Sequence, residues 1–273
     1  MRPGIGLIPQ VTADGVAVGK RIVEWGRRAE ALGFAGVWVT DSVARARPTL
    51  DPLSVLALLC GETSTVELGT CVVQVPLRHP VEHAHRAQSL HLLSGDRFRF
   101  GVGSGSTKAD FDALQQDFDA RFRTLPAYMA VMRRVWAGEG VYGPPLPLWP
   151  GTQGGPPVLL GAWRSQRWID YAVTQCQGWI ASGIYSEMAD LETGVRMYRA
   201  AGGTRAVLAN VFVDLRPEPA LNPLIATAKV SLICSPAEAR ERLGRIAALG
   251  FDDVLFIPPF DAPDQLEAIR ALI

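Results

Sequence analysis

Leu92-Leu93-Ser94-Gly95-Asp96-Arg97-Phe98-Arg99-Phe100-Gly101-Val102-Gly103-Ser104-Gly105-Ser106 passes from one kind of structure into another and ends where a ligand could sit. A helix pattern runs into Ser94-Gly95, and glycine there takes the left-handed backbone that ends a helix. Phe98, Phe100 and Val102 then alternate at strand period until Gly103-Ser104-Gly105 breaks the run. A backbone without side chains at that point lets a ligand approach closely. A buried strand that merely turns at its glycines is the competing interpretation, since short glycine clusters commonly follow strands.

The same rhythm repeats outward from this stretch. Upstream, Gly4–Ile8 reads as a first buried strand. Val18–Leu32 reads as a helix, with Ile22, Trp25, Ala29 and Leu32 at helical spacing and Gly33 as its cap. Ala35–Thr40 is a second strand ending at Asp41-Ser42. The loop Val43–Leu50 carries Arg45 and Arg47 and leads to a helix over Pro52–Thr63 with proline in its first turn. Val66–Val75 is a long, β-branched third strand closed by Pro76 and the Arg78-His79-Pro80 turn, and Val81–Leu93 is the helix feeding the opening stretch.

Downstream, Lys108–Trp136 carries a helical pattern broken near Leu125-Pro126, and the proline- and glycine-rich Val141–Pro157 is a loop. Strands follow at Val158–Gly161, Gly178–Ser182, Ala206–Asp214 and Asp253–Ile257. Helices lie between and after them at Gln166–Thr174, Glu187–Ala201, Pro236–Leu249 and Asp264–Leu272, while Pro217, Pro219 and Pro223 mark irregular backbone between Leu215 and Ile233. Eight strands, each followed by a helical segment, fit one closed (β/α)8 TIM barrel spanning residues 1–273 as a single domain. A doubly wound open sheet would want a glycine fingerprint at its first turn, and Gly4-Ile5-Gly6-Leu7-Ile8-Pro9 lacks the third glycine.

The 27 Lys and Arg residues balance the 27 Asp and Glu residues. There is thus no global electrostatic case for a nucleic acid or an anionic membrane as partner, and a small-molecule substrate is the default. Cys60, Cys71, Cys176 and Cys234 are scattered without a C-x-x-C pair and read as buried thiols in a reducing compartment. The first apolar run reaches Pro9 too soon for a signal peptide or a membrane span, so a cytoplasmic protein is expected. His83, His85 and His91 are spread along one helix without matching carboxylates, so no metal site is expected.

Barrels of this kind bind ligands at the C-terminal ends of their strands. That rule nominates Pro9-Gln10, Asp41-Ser42, Cys71–Gln74, Gly103–Ser106, Gly161–Ser165, Ser182–Tyr185 and Pro258–Phe260. These ends hold apolar walls, small residues and few ionisable groups, which suits a planar cofactor that brings its own reactivity better than a hydrolytic nucleophile or a metal cage. Gly161-Ala162-Trp163-Arg164-Ser165 is the strongest local anion site, since free N–H groups at a helix start favour a phosphate and Arg164 or Ser165 can add a contact. The plainer alternative there is a capped helix with a solvated arginine. A lyase or isomerase on the same barrel would want a lysine or paired carboxylates at strand ends, and of Lys20, Lys108 and Lys229 only Lys108 lies near one.

With these residues in hand, the chain resembles the bacterial luciferase-like monooxygenase family, whose members use FMN or the deazaflavin coenzyme F420. The resemblance covers nearly the whole chain. It is carried by Ala31–Asp41, by Val66–Val72, by Leu93–Phe98 with Gly101–Gly105, and by Pro156–Gly161 with Gly178-Trp179. It implies a non-prolyl cis peptide at Cys71-Val72, a bulge with Val73 that backs the cofactor ring. It further implies a phosphate site at Gly161, Ala162, Trp163, Arg164 and Ser165, and a ring lining from Gly103, Ser104 and Gly105. A homodimer is implied too, with the helix Val81–Leu93 as one candidate interface, and so is a supplier of reduced cofactor such as a flavin reductase.

The chain departs from the family at Ser42, where many F420-dependent members have a histidine, and at Asp96, where a glycine is usual. Asp41 is the best ionisable candidate by position, though an acid at a strand end also holds loops, here by pairing with Arg45 or Arg47. The expectation is a flavin- or deazaflavin-dependent oxidoreductase or monooxygenase. The alternative is a relative that kept the barrel and lost the chemistry.

Overall fold

The computed structural model describes residues 1–10, 18–45, 48–148, 153–219 and 227–273. Its strands are β1 (Arg2–Leu7), β2 (Gly36–Val39), β3 (Glu67–Thr70), β4 (Val73–Gln74), β5 (Phe98–Gly103), β6 (Val158–Gly161), β7 (Gly178–Ser182), β8 (Ala206–Asp214), β9 (Ser231–Ile233) and β10 (Asp253–Ile257). All the strand pairs are parallel, and β10 pairs with both β1 and β8, which closes an eight-stranded barrel. β4 resumes the third barrel position after a break, and β9 lies outside the eight, paired to the far end of β8. The helices are α1 (Val18–Ala31), α2 (Pro52–Cys60), α3 (Pro80–Leu93), α4 (Lys108–Ala113), α5 (Arg121–Trp136), α6 (Gln166–Gln175), α7 (Met188–Ala200), α8 (Pro236–Ala248) and α9 (Gln265–Arg270). The fold is the (β/α)8 barrel that the strand-helix rhythm implies.

Side-chain alternation sorts each strand between two cores. On β2, Val37 and Val39 face the helices, while Trp38 points into the barrel with Cys71, Leu159, Ile180, Val207, Ala209 and Leu255. Trp38 fits because two neighbours are bare. A Cβ on Gly69 would lie 2.2 Å from its ring and one on Gly36 2.9 Å from it. Outside, α1 buries Ile22, Trp25, Gly26 and Ala29, one stripe at helical spacing, against the sheet. Helix starts are set locally: Asp51 accepts from Ser54 N at 2.9 Å ahead of Pro52, and Ser235 caps α8 ahead of Pro236.

Three local expectations are corrected. The third strand is not continuous over Val66–Val75 but stops at Thr70 and resumes at Val73. The helical pattern of Lys108–Trp136 breaks at Leu114–Ala120, and Pro126 lies inside α5, in its second turn, where the missing N–H costs one helical bond, to the carbonyl of Phe122. The stretch before Ile233 holds β9, a three-residue strand.

The N-terminal end of the barrel is closed by charge. Arg205 donates to Glu67 (2.6 Å) and Asp253 (2.9 Å), Arg99 to Glu67 (3.1 Å), and Arg2 pairs with Asp253 (2.7 Å), which joins β1, β3, β5 and β10 to the start of β8. Burial pushes the Glu67 carboxyl up, but Arg205, Arg99 and Arg2 together hold it below its ordinary value.

Candidate active site

The C-terminal end is built differently. The backbone between β3 and β4 turns at a cis peptide, Cys71-Val72, as the family resemblance implies. Cys71 points into the barrel core, and burial pushes its thiol up to about 12, so it is neutral and unreactive at physiological pH. Val72 remains half-buried at the mouth, and Val73 packs outward against the helices. A Cβ on Gly103 would stand 2.6 Å from one Val72 methyl, and one on Gly161 2.7 Å from the other. The bareness of these two glycines therefore makes room for Val72, the residue that forms the wall.

Beside this wall lies a buried polar cluster. Asp41, at the end of β2, accepts from Gln74 N (3.0 Å) and Arg78 (3.2 Å) through Oδ2. Its partner is thus Arg78; the expected Arg45 pairs elsewhere, and Arg47 lies outside the described residues. Arg78 also approaches Asp51 (3.7 Å), which is held by Arg86 (2.7 Å). Asp110, a fully buried residue of α4, accepts from Val43 N (3.1 Å), Ala44 N (2.8 Å), Arg45 Nε (3.2 Å) and Gln74 Nε2 (2.9 Å). Burial raises its carboxyl, but these four donors win and hold it below its ordinary value. Behind the cluster, His83 is buried against the Val75 backbone, and desolvation together with Arg78 and Arg86 pushes it down to about 3.

In Gly103–Ser106, Gly105 has φ +84, and a Cβ there would meet Phe111 at 2.7 Å and Gln74 Oε1 at 2.8 Å. Ser104 is half-buried on the same loop. In Gly161–Ser165, most groups are already engaged. Ala162 N donates to Ile180 O (3.2 Å), Trp179 Nε1 donates to Ala162 O (2.9 Å), Arg164 donates to Asp190 (2.8 Å), and Ser165 caps α6 by accepting from Trp168 N (3.4 Å). Trp163 is the exception: it is 67% exposed and tilts against Tyr185, 52% exposed, at 6.2 Å. The structure thus gathers Asp41, Cys71, Val72, Gly103, Ser104, Gly105 and Gly161–Ser165 at one end of the barrel and directs Val73 away from it. Gln74 was nominated by its place at a strand end, but Arg78 and Asp110 carried no sequence signal beyond a turn and an ordinary helical acid.

A closed parallel barrel with a mixed apolar and polar mouth at its strand ends defines an enzyme-type scaffold. The family model for luciferase-like monooxygenases matches residues 1–227, and the chain belongs to that family. A relative among curated proteins is the 4-hydroxyprotoasukamycin monooxygenase of Streptomyces nodosus subsp. asukaensis, 33% identical over 120 residues, 43% of this chain. The match spans 31% of that relative, about a third of its length. Among solved structures, the coenzyme F420 dependent tetrahydromethanopterin reductase of Methanopyrus kandleri superposes with a TM-score of 0.72 at 17% identity, covering 100% of this chain and 98% of that one. The FMN-bound oxygenating constituent of 3,6-diketocamphane monooxygenase of Pseudomonas putida gives 0.71 at 14%, covering 99% and 95%. At such identities the two superpositions establish the shared fold. No described helix is long and apolar enough to cross a membrane.

Proposed function

We propose that the chain is an oxidoreductase that binds FMN or coenzyme F420 at the C-terminal mouth and acts on a small organic substrate. Such a cofactor supplies hydride transfer or, for reduced FMN with oxygen, insertion of an oxygen atom. One observation carries this reading. An apolar wall, Val72, shares one mouth with buried side-chain oxygens that no described residue satisfies, Asp41 Oδ1, Ser42 Oγ and Gln74 Oε1. A planar ring with one apolar face and a polar edge fits both.

On this reading Cys71 and Val72 back the ring, with Val73 anchoring the bulge from the helix side. Gly103, Ser104 and Gly105 flank the ring, and Gly161, Ala162, Trp163, Arg164 and Ser165 receive the phosphate at the start of α6, where the helix dipole favours an anion. Asp41 is the ionisable group at the ring, and the mouth excludes water. The chain works as one unit in the cytoplasm and as a homodimer, with the exposed Leu92 and Leu93 of α3 at the interface, and a flavin reductase or similar donor supplies its reduced cofactor.

Titrating the purified protein with FMN and, separately, with F420 tests the reading by fluorescence. Binding of one of them in the micromolar range or tighter is expected. If neither binds below about millimolar, too weak for a dedicated cofactor site, the reading fails.

A further inference from the structure

Among the described residues, every buried side-chain oxygen without a hydrogen-bond partner belongs to one small patch: Asp41 Oδ1, Ser42 Oγ and Gln74 Oε1. Asp41 and Gln74 are themselves nine-tenths or more buried, and they are tied together, since Gln74 N donates to Asp41 Oδ2 (3.0 Å) and Gln74 Nε2 reaches Asp41 O (3.4 Å). The rest of each of these two side chains is engaged. What is left over is acceptor capacity alone at Asp41 and Gln74, and a hydroxyl at Ser42. Leaving such groups unpaired in the interior is costly, so a native protein tolerates them where something else completes them.

The direction of the Gln74 amide is imposed. Its Nε2 faces Asp110 Oδ2 at 2.9 Å. The Asp110 carboxylate already accepts from Val43 N, Ala44 N and Arg45, and as an ionised acceptor it has no proton to offer an amide oxygen. The amide cannot turn over without facing oxygen to oxygen, so Oε1 is held toward the Gly103–Ser106 loop, 2.8 Å from where a Cβ on Gly105 would stand.

We infer that Asp41 Oδ1, Ser42 Oγ and Gln74 Oε1 form an acceptor edge that selects ligands presenting an N–H or O–H donor, and that Asp110 is the positioning residue that fixes Gln74 in its accepting orientation. The inference rests on the mouth being the ligand site. The donor comes either from the ring N–H of the cofactor or from a hydroxyl or amine of the substrate, and one experiment separates the two. Dissociation constants are measured by fluorescence for two probe pairs in which a methyl group replaces the donor hydrogen: FMN against 3-methyl-FMN, and 2-naphthol against 2-methoxynaphthalene. The second pair is titrated with FMN saturating where FMN binds, and on the protein alone where it does not.

For wild type, the donor-bearing member of at least one pair is expected to bind about tenfold tighter, and the pair that responds names the source of the donor. Gln74→Leu should bring that ratio below about twofold with little change in Tm, and Gln74→Met serves if the leucine variant does not fold. Asp110→Asn should lower the same ratio although Gln74 is intact, because the amide can then rotate; a merely structural role for Asp110 would lower Tm and leave the ratio alone. If neither pair shows a preference in wild type, the three oxygens are completed by water, and if the preference survives in both Gln74 variants, Gln74 does not carry it; either result overturns the inference. Loss of FMN and F420 binding with a surviving naphthol preference would overturn the cofactor reading and keep the acceptor edge.

Discussion

Both ends of the barrel carry linked charged groups, and they finish them differently. At the N-terminal end Arg2, Glu67, Arg99, Arg205 and Asp253 form a closed lattice across five strand positions, and none of its atoms is a buried group without a partner. At the C-terminal end Asp41 is about as buried as Asp253 at the other, yet the lattice stops short and three oxygens are left open. Burial of charge therefore does not mark a site in this molecule. Incomplete pairing does, because a structural lattice is finished by the protein itself, whereas a binding surface leaves its last bonds to the ligand.

The largest effect should come from the closed end. Arg205→Met removes one of the two arginines that Glu67 and Asp253 share, leaving Arg2 and Arg99, and should cost about 3 kcal/mol in urea unfolding. Cofactor affinity of the folded fraction should stay as in wild type; a selective loss of affinity without a loss of stability would abolish the contrast between the ends.

A somewhat smaller effect sharpens the contrast through pH. His83, behind the open end, stays neutral in the folded protein down to about 3, while in the unfolded chain it takes up a proton near 6.5. In that window the unfolded state binds more protons, so stability falls as pH drops from 6.5 toward 3, by about 2–3 kcal/mol over the first two units. His83→Leu should flatten this slope in thermal melts between pH 6.5 and 4.5. The lowered carboxyls of Glu67 and Asp110 act further down: their stabilisation is complete above the ordinary carboxylate range and is lost as pH falls through their depressed folded values. An unchanged slope in the His83 variant would show that another group carries it.

The smallest effect concerns the wall. Gly161→Ala pushes a methyl to 2.7 Å from Val72 and should cost about 1–3 kcal/mol, and adding Val72→Ala should recover most of it. If the double variant is no more stable than the single one, Gly161 is bare for a reason other than Val72.

The barrel was legible because its signals are local and periodic: Val37-Trp38-Val39 and Phe98-Arg99-Phe100 alternate, and Gly33, Gly95 and Gly250 stop helices at positive φ. The break after Thr70 was hidden from periodicity, since β-branched residues continue on both sides of it, and only the family resemblance pointed to the cis bond. Pro126 misled because a proline removes one helical bond, which a helix of 16 residues can carry. The cluster at the open end could not be read at all as a cluster. Asp41 meets Arg78 37 residues on, and Gln74 meets Asp110 36 residues on, and no spacing rule links strand ends across intervening helices. Knowing the strand ends named the neighbourhood, but only side-chain geometry names the pairs.

The pairing of β1 with β10 bears on how the chain comes to be made. Arg2 sits in register with Asp253, so β1 must wait about 250 residues for its second neighbour. Until then the growing sheet has two raw edges, the kind of surface that recruits other chains. The arginine–carboxylate lattice spans that seam, tying Arg2 on one side to Asp253 on the other, and so acts as a clasp that fastens only once β10 is in place.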